Sequence, residues 1–314
     1  MGPGDVGQLL VVPMVVGLLA TWVAMWWIGD KGWARWRGWA VAVIIGGVYV
    51  LGHVQSSRFP PFPAVTSDEW VVYAAMVGAG WAGVEAWAGR AMGWRWIVVA
   101  VGRVGVMAVL AWVLIGDRFG VAVYLGLVAG LSVVAMALVN AGRQAFGRSL
   151  MVGWAMVSAA LGAAFLMGAS AKLAILVWSL MATLMGVMAV LSLSKHGRTM
   201  DLGAVQPLLV MIVGGLSTSG TAYAGVSLQA VLLAAVGLCF VAFVGALAAR
   251  RLMERWWWTA SMVFLYGLLA GATVGLAQYE DQIDAAVETP KDEGGDEEEE
   301  ENGSGSERYA PYRY

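Results

Sequence analysis

Apolar runs of about twenty residues follow one another along nearly the whole chain, parted by short connections that are alternately basic and almost free of basic residues. Each run is long enough, as a helix, to cross a hydrocarbon layer of roughly 30 Å. Composition agrees. Of 314 residues, 60% are hydrophobic and only 13% charged, and the mean hydropathy is +0.73. A soluble domain carries about 25% charged residues, which it needs to cover its core. The expected fold is all-α, a polytopic integral membrane helical bundle of about ten transmembrane helices.

The spans are expected near 7–28, 38–55, 70–88, 95–115, 120–141, 150–169, 172–193, 205–223, 226–248 and 258–278, forming one transmembrane domain over 1–278. The N-terminal stretch "MGPGDVGQLLVVPMVV" has no basic segment before its apolar run, so it reads as the first span and not as a cleaved signal.

The odd-numbered spans are followed by Lys31, Arg35 and Arg37, by Arg90 and Arg95, by Arg143 and Arg148, by Lys195 and Arg198, and by Arg250, Arg251 and Arg255. The even-numbered spans are followed only by Arg58, Arg118 and Lys172. Basic residues in short loops mark the cytoplasmic side. With an even number of spans, both termini are then non-cytoplasmic, in a protein of the cytoplasmic (inner) membrane. Trp26, Trp27, Trp33, Trp36, Trp39, Trp94, Trp96 and Trp256 to Trp258 cluster beside the basic loops, as amphipathic rings do at the headgroup layer.

Residues 279–314 differ in kind. They hold the acidic block Glu297 to Glu301 and almost no large aliphatic residue, so this C-terminal tail is expected to be disordered. Its tip, "RYAPYRY", offers Tyr309, Tyr312, Arg313 and Tyr314 as a contact for a protein partner outside the cytoplasm; the alternative is a solvated tail with no specific partner. The lipid bilayer is the other expected partner.

Two short stretches, "YLGLVAG" at 124–130 and "LYGLLAG" at 265–271, share Gly-x-x-x-Gly spacing. They suit either close helix packing or two five-span halves of opposite orientation, an architecture of secondary carriers.

Few residues offer chemistry. Glu85 and Arg103 lie inside apolar stretches on consecutive antiparallel spans, at depths differing by roughly 6 Å. Side chains lean toward their own helix N-terminus, so these two lean toward each other. Pairing spares each the cost of an isolated charge in hydrocarbon, about 2.5 to 3.5 kcal/mol on insertion scales. The pair reads as a register lock between helices, as a gated or proton-responsive pair, or as an arginine held for an anionic ligand. Near 205–223, "QPLLVMIVGGLSTSGTAY" places Ser217, Thr218, Ser219 and Thr221 among glycines, with Gln229 close behind. Such hydroxyls line a polar or ion site, or bond back to their own helix. His53 and Gln55 are expected at the interface.

The absences narrow function. There is no phosphate-binding Gly-x-x-x-x-Gly-Lys-Ser/Thr loop and no His-Glu-x-x-His. The single cysteine, Cys239, forms neither an internal disulfide nor a cysteine metal cluster and reads as a small core residue. Only His53 and His196 are present, near opposite edges, so bis-histidine haem ligation fails and "GAS" at 168–170 lacks a base. No catalytic residue, metal or cofactor is implied, and the basic residues follow topology, not nucleic acid. Two classes remain: a secondary carrier of a small solute or ion with a polar site between helices, and a non-catalytic integral subunit or scaffold contacting its partner through the tail.

Reporter fusions test the threading. A reporter in the loop at 142–149 is expected in the cytoplasm and one in the tail outside it; a cytoplasmic tail overturns the assignment.

Overall fold

The computed structural model of the chain describes residues 3–28, 36–88, 94–115, 120–142, 147–167, 170–194, 200–226 and 228–239, with helical backbone also at 264, 267–268, 270–276 and 278–279. Among these residues the structure is all helical, without strands. In chain order the helices are α1 (Pro3–Ile28), α2 (Arg37–Ser56), α3 (Ser67–Ala88), α4 (Trp94–Ile115), α5 (Val121–Gly142), α6 (Gly147–Met167), α7 (Ala171–Leu193) and α8 (Gln206–Tyr223). The shorter α9 (Leu228–Cys239) follows.

Seven of these helices, α1, α2 and α4 to α8, are long and apolar enough to cross a membrane, which marks the chain as membrane-embedded. The eighth long helix, α3, has the length but carries Asp68, Glu69 and Glu85. The ends of α1 to α8 fall within four residues of the apolar runs read from the sequence. The ninth run is described only to Cys239 and the tenth only in part. The acidic tail, with Tyr309, Tyr312, Arg313 and Tyr314, lies outside the described residues, as do most of the basic loops.

Local sequence sets the helix ends. Glu69 turns back to accept the N–H groups of Val65 (2.8 Å) and Thr66 (3.2 Å) just ahead of α3, which satisfies donors that a helix start leaves open. Tyr73 donates to the carbonyls of Pro60 and Pro61, and Phe62 stacks edge-on against Trp70 and Tyr73, so the proline-rich connection is strapped to α3. At the same face, α8 ends at Tyr223, and Gly225 just beyond it, with a φ of 64°, lets the Val226 N–H close on the Gly220 carbonyl at 3.2 Å.

Helices α7 and α8 form the interior. α7 packs against α1, α2 and α6, and α8 against α3, α4 and α5. The buried face of α1 repeats every fourth residue, through Leu9, Pro13, Gly17, Thr21 and Met25. Gly17 rests on the Thr183 carbonyl (3.2 Å from a built Cβ), and Gly186 on α7 has no room for a Cβ beside the Met14 carbonyl. Lipid tails are as apolar as leucine, so helices here associate through such close approach, not through a hydrophobic drive. The outward faces are apolar: Val101, Val109 and Trp112 on α4 and Val121, Leu125 and Val133 on α5 are all exposed.

Contacts also order the ends. Lys172 of α7 meets Asp68 of α3 at 2.6 Å, so both helices start at one face of the bundle. Gly38 at the start of α2 abuts the carbonyl of Asp201, just before α8, at the opposite face. Trp26 and Trp27 close α1 with 76% and 75% of their surface exposed, and Trp36 and Trp39 meet edge to face at 5.8 Å beside the start of α2.

Gly186→Ala is expected to destabilise the bundle by about 1–3 kcal/mol, because the added methyl meets backbone. Gly47→Ala, where nothing lies within 4 Å of the built Cβ, is expected to be neutral or to gain up to about 1 kcal/mol of helix propensity. Denaturant unfolding of the two variants in detergent measures the contrast, and equal losses would refute it.

Candidate functional site

Glu85 sits in the last turn of α3 and Arg103 in the third turn of α4. Both are buried. Arg103 Nε donates to Glu85 Oε1 at 3.0 Å, and Nη2 donates to the same oxygen. Trp81, one turn earlier on α3, adds an indole N–H to that oxygen at 3.3 Å. The approach is possible because Gly102 presents no side chain to the Trp81 ring, which occupies the space a Cβ would need. Oε1 thus accepts charge-assisted and neutral donors together. Chemically it is a closed pair.

A second buried contact joins α6 to α8. Trp154 donates to Gln206 Oε1 at 2.8 Å, and Gln206 Nε2 donates to the Leu202 carbonyl at 3.2 Å. Gln206 is fully buried.

The hydroxyl-rich half of α8 is largely satisfied internally. Thr218 donates to the Gly214 carbonyl (2.8 Å), and Thr221 shares its proton between the carbonyls of Ser217 (3.1 Å) and Thr218 (3.2 Å). Their oxygens remain available as acceptors. Ser217, Thr218 and Thr221 line one wall of a cavity of about 740 Å³ between α5, α6, α8 and α9. The other walls are apolar, with Val123, Leu127, Val157, Leu161 and Leu232 among them. Ser219 and Gln229 do not line it: Ser219 is buried elsewhere and Gln229 is exposed.

Gly126 and Gly130 of α5 also line this cavity, and no atom of the described residues lies within 4 Å of where a Cβ would stand at either position. Gly267 and Gly271 do not line it; among the described residues Gly271 has no atom within 4 Å of where a Cβ would stand, and Gly267 has the tip of Met156 there. The Gly-x-x-x-Gly spacing therefore opens space on α5 where close helix packing was one expectation. Small residues that line a cavity and small residues that seat a helix look alike in sequence.

The chain matches no protein-family model, no curated protein and no solved structure.

Sequence reasoning missed one group. His53, expected at the interface, is wholly buried in the last turn of α2. Its two ring nitrogens have no hydrogen-bond partner among the described residues, and neither do Tyr49 Oη and Ser179 Oγ. The signal was faint: Tyr49 and His53 are four residues apart and share a helix face, but nothing in the sequence says that α7 covers it. Among the described residues no three His, Cys, Asp or Glu side chains converge as a metal site.

Breaking a buried pair by removing one partner costs roughly 3–5 kcal/mol. Glu85→Arg and Arg103→Glu are each expected to lose membrane abundance and thermal stability, and the double exchange to regain most of both. A double variant no better than the singles would mean that the contact contributes nothing by pairing.

Proposed function

We propose that the chain is a secondary carrier of a small, largely apolar solute. The supporting observation is the cavity of about 740 Å³ bounded by α5, α6, α8 and α9. Its volume falls in the range of about 300–1,000 Å³ that suits a drug-sized ligand, and its composition has the usual form of apolar walls with a few placed polar groups. Val123, Val133, Leu228, Leu232 and Val236 at its rim are exposed, so it opens sideways to the bilayer. A solute entering there partitions first into lipid. The threonine hydroxyls, already donating to their own helix, act as acceptors, so the preferred solute carries a hydrogen-bond donor at one end. The alternative, a non-catalytic subunit, would seat a partner's helix in the same opening.

Gly130 supplies the test, because it lines the cavity and no atom of the described residues lies within 4 Å of where its Cβ would stand. A diazirine-bearing medium-chain alcohol is expected to label peptides from α5 and α8 of the full chain in nanodiscs. Gly130→Phe is expected to reduce that labelling roughly tenfold, a difference of about 1.4 kcal/mol, and to stop protein-dependent flux of the alcohol across proteoliposomes. Labelling that Gly130→Phe leaves unchanged would refute the site. Labelling without flux would refute the carrier.

A further inference from the structure

The junction of α2, α3 and α7 holds ionisable groups that neither the cavity nor the Glu85–Arg103 pair uses. His53 is 0% exposed, with both nitrogens unpartnered among the described residues. A neutral imidazole has one donor and one acceptor, and both are costly to leave unmet where water is scarce. Tyr49, one turn back on α2, and Ser179 of α7, whose Oγ lies against Gly52, bring two more unpartnered hydroxyls to the same end of the α2–α7 contact. Buried polar atoms without partners are few in folded proteins and call for an explanation, and here four of them lie on the α2–α7 contact.

The charged groups around His53 come from two helices. α3 contributes Asp68 and Glu69 in its first turn and α7 contributes Lys172 in its own; both helices pack on α2, whose last turn, holding His53, leads through residues 57–66 into α3. Glu69 is committed to the Val65 and Thr66 N–H groups. Asp68 is held by Lys172 at 2.6 Å. On α1, which packs against α2, residues 7–28 include no charged side chain. Lys172 keeps 44% of its side chain exposed while Asp68 keeps 13%, so only the lysine of that pair can leave for water or headgroups at little cost.

We propose that His53 is a proton-binding site whose counter-ion is Asp68, loaded by exchange with Lys172. A proton from the aqueous phase on the Asp68 side adds to the imidazole. Asp68 then turns from the ammonium of Lys172 to the imidazolium, and Lys172 is released to solvent. The charge inside the junction stays balanced, because one cation replaces another beside the same carboxylate. Protonation thereby unties α7 from α3 at this face and ties α2 to α3 instead. The inference does not depend on the carrier reading, since it concerns a different part of the bundle.

The chain has two histidines, so ¹⁵N-histidine labelling of the full protein in nanodiscs gives two imidazole signals, and His196→Gln assigns them. His53 is expected to titrate between about pH 5 and 8. Lys172→Met, which removes the competing cation, is expected to move the midpoint up by about one pH unit, and Asp68→Asn to move it down by a similar amount. A His53 that stays neutral throughout that range, or that titrates identically with and without Lys172, overturns the proposal. Lys172→Met decides the question even if Asp68→Asn does not accumulate, because it alters only the exposed partner.

Discussion

Close backbone approach between helices is the constraint on which the rest of this structure depends. In a bilayer the hydrophobic effect has already been used to insert each span, and packing must come from contact area and from polar bonds between helices. α7 makes such contact on three sides. Gly186 and Gly17 bring it against α1, Ser179 reaches into the space that Gly52 leaves on α2, and the Trp178 indole lies across Gly162 of α6 while donating to the Ala159 carbonyl. These approaches put side-chain hydroxyls and rings within reach of neighbouring helices, so the polar chemistry of the interior follows from the packing.

The interior polar groups are then handled in three ways. Thr183, Thr218 and Thr221 donate to carbonyls of their own helices and make no demand on a neighbour. Glu85, Arg103 and Trp81, and separately Gln206 and Trp154, bond across helices and hold α3 to α4 and α6 to α8. Tyr49, His53 and Ser179 are left without such bonds among the described residues. The first two solutions are closed, while the third leaves capacity to bind. The apolar cavity beside α5 and this junction at α2 lie in different parts of the bundle, and the two proposals made for them are independent. A carrier that couples the two would need α7 and α8, the buried helices, to move as the link between them.

Helix positions were legible because each apolar run ends in residues that hydrocarbon rejects, and that preference acts locally on every span. The meeting of Glu85 and Arg103 was legible for a related reason: a short hairpin makes neighbours antiparallel, and side-chain tilt then sets which depths coincide. Gly126 and Gly130 were ambiguous because spacing records only the absence of side chains, not whether a helix or a cavity occupies the space. The fate of the α8 hydroxyls was ambiguous too, since a threonine bonds to its own turn or to a neighbour with equal ease.

The sequence by itself therefore determined the material of this protein: apolar helices of membrane length, in their order, with a charge pair near one hairpin. Tertiary structure alone decided which helices are interior, that His53 is wholly buried where α2 meets α3 and α7, and that α8 turns its threonines toward a cavity. Those outcomes depend on contacts between residues more than a hundred positions apart, such as Gly52 with Ser179 and Asp68 with Lys172. Hydropathy is a property of each segment, whereas the partner of a helix face is a property of the whole bundle.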